Sequence, residues 1–316
     1  MERKLMQHLP KNMETGNRSL RSRLKRYRVL YLMLLPSIIT VFIFHYIPFY
    51  GVIMAFKDYR PSLGIFGSKW VGLKHFVKFV QYPYFWRILR NTLKLNVYSF
   101  ITFPLPIVFA LLLNEMRSLK FKNSIQMIAY APHFVSTVVV CSMTLLFIKE
   151  GGPFNTVLKL FGGTPKEWIA EPDAFVWIYI TSGLWQGLGW GTIIYTSSLA
   201  GVSSDIVDAA KVDGAGRLRV IRHIYLPHLV PVIVITLILR MGTLLSVGFE
   251  KIFLLQNPLN MEVSTVISTY AYSIGIVGGQ YSYSTAVGLF NNIISVILVF
   301  LTNRISKRVS GNQFGL

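Results

Sequence analysis

Residues 199–228 read LAGVSSDIVDAAKVDGAGRLRVIRHIYLPH, and this polar stretch separates two apolar runs, Phe175–Ser198 and Leu229–Phe249. Each run exceeds the roughly 20 residues that a helix needs to cross a bilayer. The local chemistry between them predicts a helix, a turn and a second helix. Ser203 or Ser204 can cap a helix N-terminus, and Asp205 and Asp208 fall in its first turn, where exposed amides favour negative charge. Gly214 stands where that helix must stop, and Gly216 permits a second bend. Helical spacing resumes from Arg217 to Ile224 and runs to Pro227, which opens the next span. The first helix is shorter than the roughly 12–15 residues that hold together alone in water, so it needs a surface to pack on. Ala209 and Ala210 offer a smooth patch for close approach, and Ile206 and Val207 supply apolar contact. A partner protein and the host membrane both satisfy that need.

The composition around this loop places the chain in a membrane. Apolar residues make up 53% of 316 and charged residues 14%, against roughly a quarter charged in an average soluble domain. Six stretches lack charge almost completely: Val29–Phe56, Leu95–Leu113, Met127–Ile148, Phe175–Ser198, Leu229–Phe249 and Tyr283–Thr302. They predict an all-α integral membrane protein of six transmembrane helices. The first follows a basic start but is too long for a signal peptide, with no small-x-small cleavage site after it, and reads as a retained helix. Residues 1–28, 114–126, 199–228 and 303–316 hold nineteen Lys and Arg, whereas the alternate loops hold eleven. The richer side faces the cytoplasm, which puts both termini on the cytoplasmic side of a cell membrane. The expected organisation is a basic tail over 1–28, a transmembrane domain over 29–308 and a short tail over 309–316. Much of the net charge of +19 is therefore topological, spread over separate loops rather than gathered into a face for nucleic acid.

On the outer side, Trp70, Leu73, Phe76, Val77 and Val80 repeat at helical spacing with Lys74 and Lys78 displaced from them, predicting a helix in the membrane interface. Trp70, Tyr82, Tyr84, Phe85 and Trp86 suit the headgroup layer. The 149–174 connection is punctuated by Gly151-Gly152-Pro153 and Gly162-Gly163-Thr164-Pro165, with one short helical piece between.

Catalytic and metal chemistry has no constellation here. No G-x-x-x-x-G-K-[ST] phosphate loop, H-E-x-x-H or G-x-S-x-G occurs, the six histidines are scattered, and Cys141 is the single cysteine. Gly187-x-Gly189-x-Gly191 sits inside an apolar span with no strand before it, so close helix packing accounts for it better than dinucleotide binding. A polar solute crossing these spans needs hydrogen-bonding partners and flat apolar faces. Trp185, Gln186, Tyr195, Asn291 and Asn292 are the candidates, each of which also has a packing role open to it. Arg240 falls deep in the fifth span, where a lipid-facing charge costs roughly 2.5–3.5 kcal/mol or more, so it should face the bundle interior.

The spacing Ala209-Ala210, three residues, Gly214, nine residues, Ile224, one residue, Leu226-Pro227 resembles the EAA loop of binding-protein-dependent ABC importer permeases, with Asp208 where that family usually has Glu. Val71-Gly72-Leu73 with Phe76, then Asn91-Thr92-Leu93, resemble the MalF-like carbohydrate permease pattern. Gly189-Trp190-Gly191-Thr192-Ile193-Ile194-Tyr195, Gly248-Phe249-Glu250-Lys251-Ile252 with Asn257-Pro258-Leu259, and Gln280-Tyr281-Ser282-Tyr283 are similar to the LplB-like polysaccharide branch. The resemblance implies a permease that takes an oligosaccharide from an extracytoplasmic solute-binding protein and passes it inward by alternating access. A second homologous permease would complete the pathway. Two ABC ATPase subunits, which carry the ATP and Mg, would dock on Asp208, Ala209, Ala210, Gly214, Ile224, Leu226 and Pro227. The permease itself would bind no cofactor. An ion-coupled secondary sugar transporter is the alternative, but it needs buried acidic couplers, and the spans hold no Asp or Glu apart from Glu250 at an outer edge.

Overall fold

A computed structural model describes residues 27–242 and 248–309. The chain divides into two compact units, Met1–Ile53 and Met54–Leu316. Hydrocarbon offers no partner to a backbone amide, so a chain that crosses it must satisfy its own hydrogen bonds, and helices do so within one segment. Accordingly, the only sheet among the described residues is a two-residue hairpin, β1 (Lys57–Asp58) against β2 (Lys69–Trp70).

In the first unit, α1 (Arg28–Val41) passes into a π-helical turn, Phe42–Tyr46, just before Pro48. Proline has no N–H to donate to the carbonyl four residues back, and the π turn shifts the ladder by one residue as it arrives there: the Ile47 amide donates to Phe42.

In the second unit, α2 (Lys74–Val80) is followed by α3 (Phe85–Ile101), α4 (Pro104–Asn114), α5 (Leu119–Tyr130), α6 (Thr137–Ile148) and α7 (Pro153–Leu160). Next come α8 (Pro172–Leu199), α9 (Ser204–Val212), α10 (Arg217–Val220), α11 (Leu226–Gly242), α12 (Phe249–Leu255), α13 (Ile267–Tyr272) and α14 (Tyr281–Val309). Among the described residues, five helical stretches are long and apolar enough to cross a membrane: Arg28–Phe56, Phe85–Asn114, Thr137–Leu160, Arg217–Met241 and Tyr281–Leu301, with Ile267–Val277 as a shorter apolar helix. The remaining run read as a span is α8, a 28-residue helix rich in Gly, Ser and Thr.

Several expected boundaries move. The second span starts at Phe85, ten residues before Leu95. The third is not one helix: Pro132 falls in a 3-10 turn, and Ser136 then caps α6, its hydroxyl accepting from the Val139 amide. The fifth is continuous from Arg217, because a π turn at Ile221–Tyr225 carries the helix across Pro227 rather than letting it start there. The expected interface helix is shorter than its periodicity, since Trp70 belongs to β2 and only Lys74–Val80 is helical. Leu73, Val77 and Val80 stay exposed while His75 and Phe79 are buried on the opposite side, and desolvation lowers the His75 pKa.

Core packing is concentrated at the two ends of α8. At one end Phe175, Val176 and Ile180 pack with Leu95, Ile252 and Leu255; at the other Tyr195 and Leu199 pack with Ile107, Val207, Val220 and Leu229. A third cluster joins Phe79, Phe85, Ile267 and Tyr283. Non-helical backbone is sewn together by buried amides. Asn155 Nδ2 donates to the Ile148, Lys149 and Lys166 carbonyls, and its Oδ1 accepts from Trp168 Nε1. Asn91 Nδ2 donates to the Glu262 and Thr265 carbonyls, and Thr92 Oγ1 accepts from the Ile267 amide. Asn260 Nδ2 donates to the Ile169 and Leu255 carbonyls, both at 3.0 Å, while its Oδ1 accepts from Ser264 Oγ. These bonds account for Asn91-Thr92, and Asn257 opens the Asn-Pro-Leu turn by accepting from the Leu259 and Asn260 amides.

Replacing Asn260 by Leu takes the amide donor from the buried Leu255 carbonyl and the acceptor from the Ser264 hydroxyl, at about 1–3 kcal/mol each, while the Ile169 carbonyl keeps Asn257 Nδ2 at 3.3 Å; thermal unfolding of the detergent-purified protein should show a clearly lower Tm. A Cβ on Gly189 would overlap the Ala129 backbone carbonyl, whereas one on Gly187 meets nothing within 4 Å. Gly189→Ala should therefore lower the same Tm and Gly187→Ala should not.

Candidate functional site

The loop between α8 and α11 is built as its residues dictate. Ser203 Oγ accepts the Asp205 amide at 3.2 Å and starts α9. At the other end the Ala215 amide donates to the Ala210 carbonyl at 2.8 Å, and the Gly214 amide donates to Lys211. This paired closure, a Schellman motif, requires a left-handed residue between the two, and Gly214 has φ +80°. The spacing from Ala210 to Gly214 is thus the geometry of one helix stop. Ala210 and Ala215, joined by that closure, both pack on the core cluster around Leu229. Gly216 is extended at φ −71° and precedes α10, so it makes no second left-handed bend. Asp208 lies beyond the first turn, in the middle of α9, where its carboxylate accepts from Lys211 Nζ at 2.9 Å and raises that ammonium's pKa.

The loop has two faces. Val207, Ala210, Ala215 and Ile224 pack into the core. Ile206, Val212 and Leu218 are 57%, 88% and 78% exposed, beside exposed Asp208, Ala209 and Gly214. Leu226 and Pro227 are exposed where the loop enters α11. His228 Nε2 lies 3.0 Å from the Ser198 carbonyl, holding the ends of the two spans together, and Arg217 reaches Glu115 at 3.9 Å. Val212 and Leu218 are the loop residues that sequence reasoning passed over.

Between its two packed ends, α8 is hollow on one side. Gly183, Gly187 and Gly191 recur every four residues, hence on one face, and line a cavity of about 260 Å³ with Ser99, Arg240 and Lys251. The opposite face carries Gly189 against Ala129 of α5. Close packing therefore explains Gly189 and also Gly191, where a Cβ would come within 3.2 Å of Pro106 Cγ, whereas Gly187 borders open space. A second cavity of about 580 Å³ shares Pro106, Gly191 and Arg240 with the first and is walled by Phe103, Trp190 and Tyr195. Tyr195 Oη is 2.9 Å from Thr236 Oγ1. Arg240 donates to the Ser99 carbonyl at 2.6 Å, and its guanidinium lies over Phe100 and Phe103.

Of the residues expected along a solute path, the structure brings Tyr195 and Arg240 to this pair of cavities. Trp185 lines a separate recess with Met143 and Phe147, and Gln186 donates to the Val135 carbonyl. Asn292 is exposed, and Asn291 is half-buried, its Oδ1 meeting no hydrogen-bond partner among the described residues. Lys251 went unassigned in the sequence, because nothing in Gly248-Phe249-Glu250-Lys251 shows that α12 turns this side chain against the glycine face of α8. Its Nζ would lie 3.2 Å from a Cβ on Gly183.

Comparison with known proteins agrees with this architecture. The chain is 44% identical over 288 residues to the polygalacturonan/rhamnogalacturonan transport system permease protein YteP of Bacillus subtilis, and 43% identical over 287 residues to protein LplB of the same organism; both matches cover 90% of each chain. A solved bacterial ABC transporter involved in the import of the acidic polysaccharide alginate contains a chain that superposes with a TM-score of 0.85 at 38% identity, covering 92% of this chain and 99% of that one. A bacterial alginate ABC transporter solved in complex with an alginate pentasaccharide-bound periplasmic protein also matches, with a TM-score of 0.85 at 37% identity. Residues 18–311 match the family described as the binding-protein-dependent transport system inner membrane component, and this chain, a non-catalytic permease subunit with an all-α membrane fold, belongs to that family.

Proposed function

We propose that this chain is one of two homologous permeases in an ATP-driven importer that moves an oligosaccharide from an extracytoplasmic solute-binding protein into the cytoplasm, with both its termini on the cytoplasmic side. The observation that carries this reading is one continuous helical run from the loop to the cavity. Arg217 opens it at the exposed loop and Arg240 lines both cavities near its far end, roughly 35 Å away at 1.5 Å per residue.

A displacement applied to the loop is therefore delivered to the cavity wall. ATPase subunits, which hold ATP and Mg, dock on the outer face formed by Ile206, Asp208, Ala209, Val212 and Leu218. The core-facing residues Val207, Ala210 and Ile224 tie that face to α11, and Gly214, Leu226 and Pro227 shape its path into the membrane. When ATP draws the two ATPases together, the two permeases rock and the cavity changes the side on which it opens. One relative belongs to a polygalacturonan/rhamnogalacturonan transport system and a similar solved transporter is involved in the import of alginate, and the aromatic wall of the larger cavity suits the apolar face of a sugar ring. The tail over 1–28 and the tail over 309–316 serve as topological anchors flanking the transmembrane domain.

Gly214→Val places a β-branched residue at φ +80°, where the left-handed conformation costs roughly 1–2 kcal/mol or more. The variant should reach the membrane but lose co-purification of the ATPase and ATP-dependent sugar uptake. Normal substrate-stimulated ATP hydrolysis and uptake would contradict the docking role.

A further inference from the structure

A buried cation without an acceptor calls for an explanation, because an ammonium taken from water and left unpaired is costly. Lys251 is 9% exposed, and its Nζ meets no hydrogen-bond acceptor among the described residues. Its Nζ lies 5.5 Å from the Tyr179 ring centroid and would stand 3.2 Å from a Cβ on Gly183. It borders the cavity that Arg240 also lines, so two cationic side chains from different helices, α12 and α11, face one hollow. The third wall, on α8, carries Gly183, Gly187 and Gly191 among the side chains of Tyr179, Ile180, Leu184 and Leu188, and a larger residue at Gly187, where nothing lies within 4 Å of a Cβ, would occupy the space.

We infer that this cavity is a carboxylate-binding subsite within the translocation path, in which Lys251, aided by the positive potential of Arg240, receives the carboxylate of a uronate unit as an acidic oligosaccharide passes. The inference rests on the importer reading above. Size supports it: about 260 Å³ is below the roughly 300–1,000 Å³ of a site that encloses a whole small ligand, so the cavity takes one unit of a longer chain. The adjoining cavity of about 580 Å³, with its aromatic wall, accommodates a neighbouring ring. Charge also supports it, because a carboxylate supplies the acceptor that Lys251 lacks. An incoming anion thus converts a desolvation penalty into a charge-assisted bond. A uronate unit is favoured over a neutral one at this point, and occupancy remains transient because the bond to Lys251 competes with rehydration on either side.

The test uses the complete importer, with both permeases, the ATPases and the binding protein, in proteoliposomes. Its probes are trigalacturonate and the fully methyl-esterified trigalacturonate, which is neutral and nearly the same shape. Lys251→Met should lower the ratio of acidic to neutral uptake about tenfold or more, the scale of one lost charge-assisted hydrogen bond, and Lys251→Arg should restore it. Gly187→Leu fills the cavity without removing a cation and should depress uptake of both probes. Size-exclusion chromatography confirms assembly, and Lys251→Gln gives the same comparison if the Met variant does not assemble. An unchanged ratio in the Lys251 variants, or equal loss of both probes, overturns the subsite and leaves the importer intact. Wild-type complex that moves neither probe in response to ATP contradicts the importer reading itself.

Discussion

A polar group placed in hydrocarbon costs free energy unless it finds a partner inside the protein, and this constraint shapes both where the chain is regular and where it is hollow. Backbone amides meet it by forming helices. Where the helices break, buried asparagines supply the missing bonds: Asn91 to the Glu262 and Thr265 carbonyls, Asn155 to Ile148 and Lys149, and Asn260 to Ile169 and Leu255. Prolines are handled within the ladder, with π turns at Phe42–Tyr46 and Ile221–Tyr225 arriving just before Pro48 and Pro227. Side-chain charges meet the constraint by facing inward, and Arg240 does so by bonding the Ser99 carbonyl under two phenylalanine rings.

Set in that frame, α8 acts as a post packed at both ends and open in the middle. Phe175 and Ile180 hold one end, Tyr195 and Leu199 the other, and the glycines between them keep a face bare. The opposite side of the same segment uses glycine for the contrary purpose, letting the Ala129 backbone of α5 approach Gly189. One glycine-rich stretch therefore both tightens the bundle and leaves a cavity open.

The loop was legible because its signals are local. A glycine separated by three residues from an alanine pair reads as a helix stop, and Gly214 makes that stop in the structure at φ +80°. The all-α membrane class was likewise plain from hydropathy. Span boundaries were less so: residues 85–94 hold Arg87, Arg90 and Lys94, and their charge hides a helix whose buried side, Phe85, Ile88 and Asn91, packs inward. The cavity was illegible for a different reason. Gly187 and Gly189 look alike in sequence, and only the position of α5 decides which one packs. Lys251 depends on α12 folding back against α8, a long-range contact that no periodicity announces. Asp208 sits one turn later in α9 than its charge suggested, paired with Lys211.

The outer and inner faces of α9 and α10 carry the central claim, that this loop is where an ATPase drives the permease. Cys141, the single cysteine, is buried, so a Cys141→Ser background lets one photo-reactive thiol label be placed at will. Labels at Val212 and at Leu218, both outward, and at Val207, inward, can be irradiated in the assembled importer. The account predicts adducts with the ATPase from Val212 and Leu218 and none from Val207. Adducts from Val207 alone, or none from any of the three in a complex that hydrolyses ATP, would contradict it.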